Sequence, residues 1–217
     1  MNNVTKKILS TRKEWLEERR KSIGGSEAAA VIGLSPWTSN TDLWDIKTGN
    51  AEPDEFSNEF VEYGTKAERL LRELYALDFP TMTVQYEPNN LFRNDSYPWA
   101  HVSLDGWITD SDGNRGVLEI KTGRINTALQ AGKWRDRIPD HYYVQVLHEI
   151  AVYDADFAVV KAHLKHENRG ELWIETKHYT IYRVDVQDEI DYLMDEEKKF
   201  WETVQNGTRP NRRLPEI

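Results

Sequence analysis

A chain of 217 residues with 39% apolar and 11% aromatic residues holds enough apolar material for a sizeable core. Its net charge of −9 excludes attachment to nucleic acid by bulk charge, so any DNA contact requires a local basic lining. The absence of cysteine removes disulfides, thiolate zinc sites, cysteine nucleophiles and cysteine-ligated iron–sulfur clusters. The N-terminal stretch carries no apolar leader, and no run approaches the roughly 20 apolar residues of a membrane span, so a soluble, cytoplasmic chain is expected.

In chain order, Thr11 and Glu14 form a capping box that opens a short basic helix. Ser26 is expected to cap a helix from Glu27 to Ile32, ended by Gly33, and such an end offers free N–H groups and a hydroxyl to an anion. A further short helix is predicted from Thr41 to Thr48, then an acidic loop from Ala51 to Ser57. The spacing of Phe60, Gly64, Ala67, Leu71 and Leu74 predicts a long helix from Asn58 to Leu77, with Gly64 permitting close backbone approach. Strands are expected at Met82–Glu87, at Leu91–Arg93, and in a hairpin between His101 and Gly123. Helices should follow over Asn126–Asp136 and Asp140–Tyr153, then strands over Phe157–Leu164 and Glu171–Val184. The last helix starts near Asp185 and ends at Gly207, with Asp188, Glu189, Asp191, Asp195, Glu196 and Glu197 on a solvated acidic face. Its Pro-rich tail carries Arg209, Arg212 and Arg213, and reads equally as a loose end or as an arm that orders on DNA.

The hairpin carries the chemistry. With a turn over Asp110–Asn114, Thr109 faces Arg115 and Asp105 falls opposite Glu119, with Cβ atoms roughly 4.5–5.5 Å apart. The period of two puts Lys121 on the face of Glu119, and sets Val102, Leu104, Ile108, Leu118 and Ile120 on the other. Two carboxylates and an ammonium beside a dry core suit a hard divalent cation, with the Ile120 backbone carbonyl as a third oxygen. The competing reading is a surface ion pair, and a one-residue slip in register would dissolve the site. Trp107 shares the carboxylate face and is read as packing. Histidines form no metal-ligating pattern, and no phosphate-binding Gly-rich loop or nucleophile elbow is present.

Asp105, then Glu119 and Lys121, resemble the signature of PD-(D/E)XK nucleases, without its leading proline. Four ordered blocks make the wider chain similar to the phage lambda exonuclease and YqaJ-type viral recombinase family. They are Ile23-Gly24-Gly25-Ser26-Glu27 with Leu34-Ser35-Pro36-Trp37, Gly64-Thr65-Lys66-Ala67-Glu68, the Asp105 and Glu119–Lys121 strands, and Tyr142-Tyr143-Val144-Gln145. The resemblance implies an α/β restriction-endonuclease-like core, a central mixed β-sheet flanked by helices. It implies a single nuclease domain over residues 1–217, with an N-terminal DNA-end-binding part (1–50), a catalytic core (58–184) and a C-terminal helix and tail (185–217). Asp105, Glu119 and the Ile120 carbonyl would hold metal, Lys121 would be catalytic, and Glu68 and Gln145 would complete the catalytic set.

Taken alone, Glu68 is equally a helix-surface residue pairing with Arg69 or Arg72, and Gln145 an exposed amide. Arg19 and Ser26 match the positions that bind the 5′-phosphate of DNA, with Arg20 an alternative to Arg19 and a plain cap an alternative for Ser26. The implied activity is Mg²⁺-dependent 5′→3′ digestion of double-stranded DNA, leaving 3′ single-stranded overhangs for phage-type recombination. Two ions are implied, with Mn²⁺ able to substitute. Implied partners are duplex DNA ends, sibling copies in a homo-oligomeric ring (a trimer favoured) and a single-strand annealing protein. An endonuclease of the same fold and a catalytically silent DNA-binding module are the rivals.

Overall fold

The computed structural model describes residues 3–53, 58–168 and 170–213. Its centre is a five-stranded mixed sheet built from β3 (Thr83–Gln85), β6 (Gly106–Thr109), β7 (Arg115–Ile125), β8 (Phe157–Asn168) and β9 (Glu171–Tyr182), neighbours in that order. Only the β7–β8 pair is parallel, because the crossover between them carries α6 (Asp140–Tyr153). The other helices are α1 (Arg12–Arg19), α2 (Gly25–Val31), α3 (Asn40–Lys47), α4 (Glu59–Asp78), α5 (Ala128–Gly132) and α7 (Gln187–Gln205).

The two sheet faces are covered differently. On one, Ile108, Leu118, Ile120, Phe157 and Val159 pack against Leu71 and Tyr75 of α4. On the other, Trp107, Val117, Ala158, Val160 and Ala162 pack against Val144, Leu147 and Ala151 of α6, with Ile190 and Leu193 of α7 behind. Trp107 is thus a core residue, donating its Nε1–H to Gln85 Oε1 at 2.9 Å. Gly64 lets α4 lie directly on β7, since a Cβ there would meet Thr122 Oγ1 at 3.1 Å.

The hairpin register is the expected one, Thr109 facing Arg115 and Gly106 facing Leu118. Its first arm is not one strand, however. Ala100–His101 (β5) pairs in parallel with Ile23–Gly24 (β2), and Val102 bridges to Phe92, before β6 joins the main sheet. Val102 and Leu104 consequently join the α6-side cluster and not that of Ile108, Leu118 and Ile120.

Other expectations are corrected in the same way. Val4–Ile8 (β1) pairs antiparallel with Asn90–Asn94 (β4), a strand its polar, exposed sequence does not announce. The helix expected from Glu27 begins two residues early: Gly24 is the N-cap, Ser26 lies inside the first turn, and Glu27 Oε2 accepts the Gly24 N–H. The helix expected over Asn126–Asp136 contracts to α5 because β7 runs on to Ile125. Phe60 and Leu74 of the expected α4 stripe are exposed, and the buried positions are Leu71, Arg72 and Tyr75. Positions 54–57 of the acidic loop and 214–217 of the tail lie outside the described residues.

The acidic face of α7 is also revised. Glu197 is fully buried and Glu196 nearly so, each covered by a partner distant in sequence. His148 takes Glu197, while Glu196 accepts from Lys199 and from Arg213 of the tail. Arg209 pairs with Asp45, and Asn40 holds the backbone of Asn211 and Arg213, so the described tail is fastened across α3 and α7.

Candidate active site

The site lies where β7 outruns β6. Because β6 begins only at Gly106, the stretch Glu119–Lys121 has no antiparallel ladder neighbour on that side. Asp105, the residue before the strand, fills the gap: its Oδ2 accepts the Ile120 N–H at 2.9 Å. The N–H and C=O of one strand residue face the same neighbour, so the Ile120 carbonyl turns toward this edge too. Glu119 and Lys121, two residues apart, project on the α6 side, where Gln145 meets them.

Four groups interlock there. Gln145 Nε2 donates to Glu119 Oε1 at 2.7 Å and to Glu149 Oε1 at 2.7 Å, while Gln145 Oε1 accepts from Lys121 Nζ at 2.9 Å. Lys121 Nζ also lies 2.7 Å from Glu119 Oε1 and 4.5 Å from the Tyr142 ring centre. Glu119 is 3% exposed and Glu149 1% exposed.

On the far side, Arg72 donates to both Glu68 Oε1, at 3.1 Å, and the Asp105 carbonyl oxygen. Glu68 therefore takes the Arg72 partner its helix spacing allows, and that ion pair is itself anchored to Asp105. Glu119, Lys121, Asp105 and Gln145 are brought into direct contact or one residue from it; Glu68 reaches them through Arg72.

The electrostatics are those of crowded negative charge. Burial, then the neighbouring Glu119 and Glu68 carboxylates, push the Asp105 carboxyl well above its ordinary range. Burial, then Glu119, does the same to Glu149. Burial alone would lower the Lys121 ammonium, but Glu119 and Asp105 outweigh it and hold the proton more tightly than usual.

Arg19 and Ser26 lie beside this cluster. Arg19 Nη2 donates to Ser26 Oγ at 3.3 Å, and its guanidinium sits 4.3 Å over Trp15, whose Nε1–H donates to Ser103 Oγ at 3.0 Å. Arg20 instead turns outward to Glu52. Arg19, Gly25, Ser26, His101, Ser103, Asp105, Glu119, Gln145 and Glu149 enclose one cavity of about 150 Å³. A Cβ at Gly25 would meet Glu149 Oε1 at 3.2 Å, so the glycine lets α2 close over it.

A larger cleft of about 620 Å³ opens further along β7, at Thr122–Arg124, lined by Phe60, Tyr63, Lys165 and Glu167 among others. Sequence reasoning missed Glu149, His101 and Arg72 at the site. Glu149 had a signal: it lies four residues after Gln145, hence on the same face of α6.

Among the described residues, no three His, Cys, Asp or Glu side chains already close on one point as a metal centre. The donor chemistry nevertheless fits a hard cation. Asp105, Glu119 and Glu149 are oxygen donors crowded in one cavity against one ammonium, and buried Glu149 Oε2 has no hydrogen-bond partner.

Residues 14–158 match the YqaJ-like viral recombinase domain. An uncharacterised protein YqaJ of Bacillus subtilis (strain 168) is 31% identical over 157 residues, 71% of this chain and 46% of that protein. The chain thus spans about half the length of this relative. An alkaline exonuclease from Laribacter hongkongensis superimposes with a TM-score of 0.64 at 16% identity, over 90% of this chain and 94% of that one. Its complex with dAMP gives 0.63 at 16% identity, over 91% and 96%. A phage-related exonuclease from Haemophilus somnus 129PT gives 0.55 at 11% identity, over 86% and 96%. At such identities these structures establish a shared fold and no more, and the sequence match goes further: the chain belongs to the YqaJ-like viral recombinase domain family.

Proposed function

We propose that this chain, acting as a single nuclease domain, is a Mg²⁺-dependent deoxyribonuclease that digests one strand of duplex DNA from its 5′ end. The observation that carries the reading is the convergence of Asp105, Glu119, Lys121 and Gln145 at the open edge of β7. Asp105, Glu119 and the Ile120 carbonyl would hold the divalent ion, one of a pair, with Mn²⁺ able to replace Mg²⁺. Bound there, it would supply a Lewis acid and a lower pKa for water.

The chain's own residues do the rest. Lys121 keeps its proton and sets an ammonium beside the scissile phosphate, orienting the attacking water and offsetting the charge that develops on the phosphorane. Gln145, bonded to both Lys121 and Glu119, keeps these two side chains aligned and turns its amide toward the substrate. Glu68 fixes Arg72, and Arg72 fixes the Asp105 backbone, so the carboxylate is presented from a rigid base. Arg19 and Ser26 receive the terminal 5′-phosphate, which sets the polarity and makes the enzyme an exonuclease.

Negative charge over the whole chain leaves DNA binding to local groups, Arg19 beside the cluster and Lys165 in the cleft further along β7, where Arg124 is already paired with Glu167. That cleft adds aromatic faces from Phe60 and Tyr63, the combination that binds unpaired strands. The product would be a duplex with a 3′ overhang, passed to a single-strand annealing protein. The working form would be a homo-oligomeric ring, a trimer, around the DNA.

End-labelled linear duplex digested with and without Mg²⁺, using wild type and Asp105→Ala, tests the reading. Mg²⁺-dependent release of mononucleotides from the 5′ end, absent in the variant, is expected. Cutting of closed circular duplex would overturn the exonuclease assignment, and undiminished activity of Asp105→Ala would overturn the site.

A further inference from the structure

The proposed mechanism uses two of the three carboxylates in the 150 Å³ cavity and leaves Glu149 without a task. Its surroundings are unusual. Glu149 is 1% exposed, so it is withdrawn from bulk solvent. Its Oε1 receives one N–H of Gln145, and its Oε2 receives nothing. A buried carboxylate so poorly partnered costs several kcal/mol unless a positive charge joins it, by the general penalty for desolvating an ion. The single ammonium in the cluster, Lys121, is already committed to Glu119 and Gln145.

A second atom in the cavity is in the same state. His101 is 1% exposed, its Nδ1 is paired with Ser22 Oγ at 2.9 Å, and its Nε2 has no partner. Two buried polar atoms from different elements, α6 and β5, therefore line one space without a protein partner for either. The amide of Gln145 stands between Glu119 and Glu149, 2.7 Å from each, and gives two negative groups only a neutral dipole.

We propose that Glu149 is a further cation-binding residue of this site, sharing with Glu119 a divalent ion on the Gln145 side of the cavity, with His101 Nε2 facing the same space. The inference rests on the reading of Asp105 and Glu119 as cation ligands. It adds a ligand that nothing in the nuclease signature contains, and makes the cavity a place for a hard divalent cation such as Mn²⁺ or Mg²⁺.

The test is calorimetric titration of the full chain with Mn²⁺ alone, without DNA. Glu149→Gln keeps an acceptor for Gln145 and removes only the charge. Its Mn²⁺ affinity should fall roughly ten- to a hundredfold, the range typical of losing a group that supports a metal site. Its melting temperature without metal should equal or exceed that of wild type, because an unpaired buried charge is gone. Wild-type affinity in Glu149→Gln, with binding lost in Asp105→Ala, would overturn this inference and leave the nuclease site standing. Wild-type affinity in Asp105→Ala would remove the underlying site itself. Should Glu149→Gln not fold, Glu149→Asp keeps the charge but withdraws it by one methylene. Weaker Mn²⁺ binding is expected there too, and unchanged affinity overturns the assignment.

Discussion

Helix α6 carries two buried ionic clusters within about one turn of each other, and they are built on opposite terms. At His148 the charges match. Its Nδ1–H donates to Glu197 Oε1 at 2.7 Å and its Nε2–H to the His101 carbonyl at 2.9 Å, with both side chains of the ion pair fully buried. With Glu197 ionised both partners are acceptors and both ring nitrogens donate, which makes the ring an imidazolium balanced by one carboxylate. At Gln145 the charges do not match: Asp105, Glu119 and Glu149 surround one ammonium, Lys121. The first cluster fastens α6 to α7 and sets one positive charge against one negative, with Glu197 Oε2, like Glu149 Oε2, buried without a partner. The second is held in place by the fold but lacks positive charge, and that shortfall distinguishes a site from a clasp.

The largest effect expected from breaking this contrast is on stability. Glu197→Ala strands an imidazolium in the core, and removal of one partner of a buried pair typically costs 3–5 kcal/mol, about 4 here. Urea unfolding of wild type and Glu197→Ala measures it. By contrast Glu149→Gln should lose nothing without metal, so a comparable loss in both variants would erase the distinction between clasp and site.

Next in size is an effect on rate. Lys121→Ala removes the ammonium that the proposed mechanism sets beside the scissile phosphate. Turnover of end-labelled duplex should drop roughly 10²–10³-fold, the range seen when one charge-stabilising group is deleted. Duplex binding, read by anisotropy, should stay within a few fold. Preserved turnover would assign Lys121 to structure alone.

The two clusters also differ in how far local sequence pattern discloses them. The register of the hairpin is partly legible: the Asp112-Gly113 turn and the alternation on both arms favour the observed pairing, which buries Ile108 and Leu118 together, but leave a one-residue slip open. Asp105, Glu119 and Lys121 follow from that register, and Gln145 from the family resemblance. Glu197 is not legible, because glutamates at helical spacing read as a solvated face, and Glu149 shows only as the residue one turn past Gln145, with nothing local to say that it is buried. What buries Glu197 is His148, some fifty residues away, and what buries Glu149 is the approach of Gly25 from α2. Burial of a charge is decided by a distant partner, and local periodicity carries no record of it. β1 escapes for a related reason: its residues are polar and mostly exposed, and its only signal is the strand it pairs with.

The smallest effect, and the one that separates the clusters most sharply, is the dependence of stability on pH. Burial pulls the His148 ring down, but Glu197 and the His101 carbonyl more than restore it, so its folded pKa lies above the ordinary 6.5. The folded state then holds a proton that the unfolded state releases, and its contribution is full below 6.5 and lost as pH rises through the folded value. Asp105 and Glu149 are raised as well, so their contribution is also present at low pH and fades as pH climbs above the ordinary carboxylate range. Without metal both clusters lower stability as pH rises, each group by at most about 1.4 kcal/mol per pH unit. A divalent cation competes with protons for carboxylates and not for an imidazolium sealed against Glu197. Millimolar Mg²⁺ should therefore flatten the part of the slope that the carboxylates contribute and leave the part that His148 adds above 6.5. In Glu197→Gln the two largest opposing causes are gone and burial, the largest of all, outweighs the His101 carbonyl; the folded pKa should fall below 6.5 and the contribution change sign, so that stability rises with pH through that value. Melting curves from pH 5 to 8, with and without Mg²⁺, read both effects. A slope above 6.5 that Mg²⁺ abolishes, or that Glu197→Gln leaves unchanged, would mean that the two clusters on α6 are one coupled system.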